Sequence, residues 1–314
     1  MTLNFSEITK GIEFKEFLRY GENPHQEAAW FTFPGQGLSN AKQLQGKELS
    51  YNNLIDLEAA ISTVQEFKGE PAAVIIKHTN PCGVAIGSDL YSALLRALDS
   101  DRISAFGGIV ALNQVVDQQC ARELTSAFYE CIVAPAFTDE AKELFAAKKN
   151  LRLLELDVDD MKLSTYNLRS ILGGVLVQER DNKPVDVNDW KVCTEREPTT
   201  QEMIDLLFSW KVCRHVRSNA ILIARDGRTL GIGAGQMNRV GSSRIALEAK
   251  DDIAGAALAS DGFFPFDDTV RKAASFGIRA IIQPGGSIKD KDSIAACNEL
   301  GLTMVLTGRR HFLH

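Results

Sequence analysis

The segment Ile75-Ile76-Lys77-His78-Thr79-Asn80-Pro81-Cys82-Gly83 sets an ammonium beside an imidazole where an apolar run meets turn-forming residues. An imidazole titrates near neutrality, so a Lys-His pair suits proton transfer combined with stabilisation of developing negative charge. Residues 72–76 are too few for a helix and read as a buried strand, closed by Asn80-Pro81 and Gly83. Lys77 and His78 then stand at a strand's exit, where α/β proteins mount chemistry on a rigid frame beside an open cleft. A capping His and a snorkelling Lys at an ordinary strand end is the other reading, and this segment alone leaves both open.

Other segments carry weaker signals. Arg19-Tyr20-Gly21-Glu22-Asn23-Pro24-His25-Gln26 is either a turn with one arginine ion pair or an anion site, since guanidinium offers a planar fork of donors. Gly231-Ile232-Gly233-Ala234-Gly235-Gln236 misses the third glycine of a dinucleotide loop, so its glycines point to close approach of a backbone or a ligand. Arg239 follows at the expected strand end, as a ligand contact or a surface ion pair. Asp261-Gly262-Phe263-Phe264-Pro265-Phe266-Asp267-Asp268 crowds three rings into a connecting turn, which suits a flat aromatic ligand better than core. Gln283-Pro284-Gly285-Gly286-Ser287 precedes a helix start able to receive a carboxylate or phosphate. The five histidines and the Pro81-Cys82 pair lack the second cysteine of a P-C-x-x-C zinc site, which argues against a zinc deaminase.

The elements that must position these residues alternate. A strand at 72–76 precedes a helix at 91–99, a strand at 108–112, a helix at 119–128 and an apolar run at 131–134. A helix at 139–149 and a strand at 151–156 complete a first half, 1–156. Residues 157–199 are polar and read as a crossover with one strand at 171–178. The second half, 200–314, opens with an amphipathic helix at 200–215 and a hairpin of 221–224 and 230–234 around Asp226-Gly227. Strand, helix, strand, helix and strand then fill 256–306. Internal sequence repeats are not visible.

Composition bounds the class. The 314 residues carry 45% hydrophobic and 24% charged side chains, as in an ordinary globular protein. A net charge of −6 with no basic run argues against a general nucleic-acid or anionic-membrane binder, yet allows a local basic pocket. Six cysteines without a C-x-x-C pattern read as reduced thiols in a cytoplasmic protein. No apolar run reaches membrane-spanning length, and no secretion signal opens the chain.

Taken together, 18–26 (LRYGENPHQ), 76–83 (IKHTNPCG), 104–112 (SAFGGIVAL), 216–219 (VRSN), 231–239, 260–266, 283–287 and 309–314 (RRHFLH) resemble one family. They are similar, from about Phe17 onward, to the aminoimidazole carboxamide ribonucleotide (AICAR) transformylase part of the bifunctional purine biosynthesis proteins. The resemblance implies an α/β fold of two tandem cytidine-deaminase-like α/β/α units without zinc. It implies transfer of a formyl group from the cosubstrate 10-formyltetrahydrofolate to the 5-amino group of AICAR, giving formyl-AICAR. His78 would be the general base, Lys77 the stabiliser of the tetrahedral species or proton donor to the leaving group, and Asn219 an orienting amide. Arg19, Tyr20, Gly107, Glu130, Arg239, Phe263 and Arg310 match AICAR contacts; Glu130 stands where many relatives have Asp. Val240, Pro265, Phe266, Asp268, Ser287 and Ile288 match the folate side, and a structural potassium ion would lie near Asp261. The family also implies a homodimer whose sites combine both subunits. Nothing resembling the family's inosine monophosphate cyclohydrolase domain precedes these motifs, so ring closure is expected from a separate protein. Two alternatives differ in class: a non-catalytic nucleotide-binding or assembly module, and a transformylase using formate and ATP, against which the missing P-loop argues.

Overall fold

Val74 and Ile76 pack into one apolar cluster while Ala73 and Ile75 pack into another, so the run before Lys77 is a strand buried on both faces. The same alternation recurs later, with Leu222 and Ala224 in the first cluster and Ile221 and Ile223 in a third. The computed structural model describes residues 4–159, 161 and 163–314. Chain order runs α1 (Phe5–Ile8), β1 (Glu13–Leu18), β2 (Ala28–Thr32), β3 (Lys42–Gln45), α2 (Tyr51–Val64), β4 (Ala72–Lys77), β5 (Asn80–Ile86) and α3 (Leu90–Leu98). Next come α4 (Arg102–Ala105), β6 (Ile109–Leu112), α5 (Gln118–Thr125), β7 (Cys131–Ala134), α6 (Asp139–Ala146) and β8 (Arg152–Glu155). The pairs β9 (Tyr166–Ile171) and β10 (Gly174–Glu179) precede β11 (Lys191–Val192), α7 (Thr200–Cys213), β12 (Ile221–Arg225) and β13 (Arg228–Gly233). The chain closes with α8 (Arg239–Leu247), β14 (Ala257–Ser260), α9 (Asp268–Ser275), β15 (Ala280–Gln283), α10 (Asp290–Leu300) and β16 (Thr303–Leu306).

Twelve strands form one mixed sheet in the order β11-β16-β15-β14-β12-β13-β5-β4-β6-β7-β8-β3. The protein is thus α/β with a large mixed sheet. Reading outward from the central β13–β5 contact, each half has the same plan. An antiparallel hairpin is followed by an antiparallel neighbour, two parallel strands and an antiparallel edge strand. The long helices α2 and α7 supply Leu57, Ile61, Leu206 and Trp210 to the cluster on one face; the other helices cover the opposite face.

The duplication extends to single residues. Each central hairpin carries a bulge just before its turn, at Ile75/Ile76 and at Ile223/Ala224. Ile75 pairs with Gly83, and Ile223 with Gly231. A Cβ at Gly83 would sit 1.9 Å from the Ala97 carbonyl oxygen, and one at Gly231 1.9 Å from that of Ala246. Both helices that follow the hairpins therefore press against the sheet where it has no side chain. The close-approach reading of Gly231 holds, with a backbone as the neighbour.

Several expectations need correction. Asn80-Pro81 does not end the strand in a turn but opens β5; the bulge at Ile76 sets Pro81 where no ladder N–H is required. The reversal lies one step earlier, at His78-Thr79. The single strand expected at 171–178 is the hairpin β9–β10, which turns at Leu172-Gly173 with Gly173 left-handed at φ 78°. The strands before residue 50 lacked a clear alternation and were not anticipated. β11, inside the expected crossover, pairs with β16 on the sheet's edge. No described helix is long and apolar enough to cross a membrane.

The ends of α2 and α7 are tied by charge. Glu66 lies 2.9 Å from His215 Nε2 and 3.3 Å from Arg214, and its carbonyl accepts from Lys211. Burial pushes the Glu66 carboxyl up, but His215, Arg214 and Lys211 outweigh it and hold it below the usual range. Its contribution to stability is therefore present above the ordinary glutamate range and lost as pH falls through the lowered folded value. Glu66→Gln should flatten the acid limb of a melting-temperature-against-pH curve. Gly83→Ala and Gly231→Ala should each cost about 1–3 kcal/mol by overpacking, read as a lower denaturation midpoint; wild-type midpoints would refute the close contacts.

Candidate active site

Lys77 and His78 reach their positions through an unusual turn. Lys77 pairs with Asn80, leaving His78 (φ 52°) and Thr79 (φ 61°) as two successive left-handed residues. That is the pattern of a type I′ hairpin turn, which ordinarily takes Asn-Gly or Asp-Gly. The second hairpin does use Asp226 (φ 55°) and Gly227 (φ 68°). Left-handed backbone costs about 1–2 kcal/mol per ordinary residue, and a β-branched Thr is among the least suited. The turn is held from beneath by Asp56 of α2, whose carboxylate accepts the Thr79 N–H at 2.7 Å and lies beside the His78 N–H. Above it, the His78 carbonyl accepts from Thr79 Oγ1 and Asn80 Nδ2. The His78 ring is left exposed, while Lys77 Nζ donates to the Phe106 carbonyl at 2.7 Å.

Lys77 thereby joins a rim built by the first half. Gly107 is left-handed and its N–H donates to the Phe128 carbonyl; the Glu130 N–H donates to that of Gly108. The Glu130 carboxylate meets Arg152 at 2.8 Å. Arg19 lies over the Tyr20 ring just past β1, and Asn52 at the start of α2 donates to the Glu22 carbonyl, bringing that loop to the same helix end. A cleft of about 530 Å³ beside Lys77 and His78 is lined by Asp101, Ser104, Gly231, Ile232 and Ile245, among others.

The second half contributes a buried polar cluster. Arg239 does not end a strand; it opens α8 behind the cap Asn238, and only 7% of its surface is exposed. Its guanidinium donates to Asn219 Oδ1 and Ser260 Oγ, both at 2.8 Å, and pairs with Asp261. The Asn219 amide nitrogen donates to the Gln236 carbonyl at 2.8 Å, so both ends of that side chain are fixed. Gly262 leaves room for the arrangement, since a Cβ there would come 2.6 Å from the Arg239 guanidinium. The C-terminal segment closes over it: His311 N–H donates to the Asp261 carbonyl, Leu313 exchanges bonds with Ser218, and Arg310 stacks 4.6 Å from the Phe312 ring.

Arg217 joins the two groups. Its backbone N–H donates to Asn80 Oδ1 and its Nε to Thr79 Oγ1, seating the Lys77-His78 turn on the loop that carries Asn219. Pro265, Phe266 and Asp268 follow β14, Ser287 and Ile288 follow β15, and Val240 is on α8. Val240, Phe263, Phe266 and Ile288 are 43–98% exposed, an apolar rim left uncovered. Phe264, by contrast, is fully buried, so one of the three rings is core. The Gly286 and Ser287 N–H groups before α10 already have an anion, the chain's own Asp290 carboxylate.

Among the described residues, no group of three or more His, Cys, Asp or Glu side chains is placed to hold a metal. The Asp261 oxygens accept from Arg239 and Ser218. Asp56, Asp101 and Arg152 escaped the sequence reading, because a lone acid or base on a helix or strand end looks like any solvated charge.

Removing one partner of a buried pair strands the other's charge. Arg239→Ala should therefore lower stability by about 3–5 kcal/mol, with partial recovery on adding Asp261→Asn. An unchanged denaturation midpoint in the single variant would contradict the buried pair.

Comparison with known proteins places this geometry. Residues 2–249 match the model of the AICARFT/IMPCHase bienzyme family. The bifunctional purine biosynthesis protein PurH of Synechococcus sp. (strain CC9605) is 61% identical over 316 residues, covering 97% of this chain and 61% of that protein. PurH of Prochlorococcus marinus (strain MIT 9313) is 60% identical over 325 residues, covering 100% of this chain and 63% of that one. The chain thus spans about three-fifths of the length of the curated relatives it matches. Among solved structures, the dCMP deaminase of cyanophage S-TIM5 aligns with 30% of this chain and 93% of its own at 13% identity and a TM-score of 0.26, too slight a likeness to bear on the fold. On the family model and these identities over nearly the whole chain, the chain belongs to the AICARFT/IMPCHase bienzyme family.

Proposed function

We propose that the chain is an AICAR transformylase, moving the formyl group of 10-formyltetrahydrofolate to the 5-amino group of AICAR in purine biosynthesis. The observation that carries the reading is the family match over residues 2–249, together with about 60% identity to proteins named for purine biosynthesis. The attacking amine is conjugated with its ring and carboxamide, so its lone pair is a weak nucleophile. Attack requires removal of an amine proton, stabilisation of the oxyanion that forms at the formyl carbon and protonation of the departing folate nitrogen. His78, exposed on its turn, takes the amine proton. Lys77, tethered to the Phe106 carbonyl, faces the developing oxyanion or supplies the leaving-group proton. Asn219, locked between Arg239 and Gln236, orients the reactants.

In this reading Arg19, Tyr20, Gly107, Glu130, Phe263 and Arg310 receive AICAR. Arg239 stands on the AICAR side with them and also holds Asn219. Val240, Pro265, Phe266, Asp268, Ser287 and Ile288 take the folate. The uncovered rim around Phe266 and Ile288 supports a homodimer whose second subunit completes the site. The matching strand order of the two halves supports a pair of cytidine-deaminase-like units, 1–156 and 200–314 with 157–199 between them. Six free cysteines suit a cytoplasmic location.

The test is an absorbance assay of tetrahydrofolate release from AICAR and 10-formyltetrahydrofolate. Release should require AICAR, and His78→Ala should cut kcat by about 10²–10⁴-fold with AICAR binding kept. Near-normal turnover in that variant would remove His78 from the role. A folded protein that binds AICAR but releases nothing would favour the binding-module reading or, if formate and ATP restore product, the other donor.

A further inference from the structure

The two central hairpins share a device that only one of them uses for chemistry. Asp56 is the sixth residue of α2, and its carboxylate accepts the Thr79 N–H, with the His78 N–H beside it. Asp205 is the sixth residue of α7, and its carboxylate lies beside the N–H groups of Asp226 and Gly227. Burial raises both carboxyls above the usual range, and the neighbouring N–H groups pull them back. In each half a helix thus sets an acid beneath a left-handed two-residue turn.

The turns differ in their need for it. Asp-Gly adopts the left-handed pair readily, whereas His-Thr resists it. An extended or right-handed His78 would redirect its imidazole and detach Thr79 and Asn80 from Arg217. From this juxtaposition we infer that Asp56 is the positioning residue for the reaction: it holds His78 left-handed so that the imidazole projects beside Lys77 and toward the Asn219 loop. Asp205 is its structural counterpart and serves stability alone. This inference rests on the transformylase reading for its kinetic consequence but not for its geometry.

The experiment compares Asp56→Ala, Asp56→Asn and Asp205→Ala with the wild-type chain, by tetrahydrofolate release, AICAR binding and amide hydrogen exchange of the peptide containing His78 and Thr79. Misplacing a catalytic group by about 1 Å costs on the order of 10²-fold, so Asp56→Ala should lose about 10–100-fold in kcat while its AICAR dissociation constant stays near wild type. Its 78–79 amides should exchange faster. Asp56→Asn keeps an acceptor oxygen and should recover most of the turnover and protection, which also covers the case of an Ala variant that fails to fold. Asp205→Ala should melt lower yet turn over normally when folded. Wild-type kcat in Asp56→Ala, or unchanged protection of the 78–79 amides, would overturn the inference. If the wild-type chain itself shows no AICAR-dependent release, the transformylase reading fails, and exchange in the same variants decides the Asp56 clamp on its own.

Discussion

The hydrogen bond from the Thr79 N–H to the Asp56 carboxylate, with the His78 N–H beside it, is the constraint on which the site depends. Without an acceptor there, the tight reversal between β4 and β5 would ask two unsuited residues to remain left-handed unaided. With it, Lys77 ends a fully buried strand, and His78 steps out of the sheet into solvent. One interaction from a neighbouring helix so converts an apolar strand into a platform for an ammonium and an imidazole. The same contact fixes Thr79 and Asn80, through which Arg217 brings in the loop bearing Asn219.

Around that turn the fold works by duplication. Both halves bury a long helix against the same face of the sheet, place a bulge ahead of the hairpin turn and press the following helix onto a glycine. The halves meet antiparallel at β13 and β5, so the Asp226-Gly227 turn and the His78-Thr79 turn lie at opposite ends of the sheet. One end keeps the turn residues that geometry favours. The other accepts residues that geometry disfavours, and that end holds the exposed imidazole. A local rule broken at a chemistry-bearing position and compensated by a partner from elsewhere is what a functional site leads one to expect.

The second half's contribution is rigidity. Arg239 and Asp261 are an almost fully buried ion pair, and such pairs keep their charges only when every donor and acceptor is satisfied. Here Asn219, Ser260, Ser218 and the Ala220 carbonyl surround the pair, and the bond from Arg239 helps fix the amide of Asn219 in one orientation. The exposed apolar residues after β14 and β15 stand in contrast. Polar positioning is finished within one chain, whereas the apolar rim is open to a ligand or a second copy.

Much was legible in the sequence by itself. Short apolar runs alternating with helix-like stretches pointed to an α/β sheet, and the strand before Lys77 was read correctly because burial on both faces demands a continuous apolar run. The quoted motifs pointed to the family, and the alternate glycines at Gly231 signalled close approach of a backbone or a ligand. What escaped depends on residues distant in the chain. Nothing in the residues around Asp56 reveals that its carboxylate lies under a turn more than twenty residues away. Pro81 reads locally as a turn former, and only pairing with Ile76 across a bulge makes it part of a strand. Arg239 reads as a ligand contact or a surface ion pair until folding surrounds it with Asn219, Ser260 and Asp261. Sequence determined which segments are buried, since hydrophobicity is written residue by residue. Tertiary structure decided which polar groups meet, because a hydrogen bond depends on distance and direction that no single segment encodes.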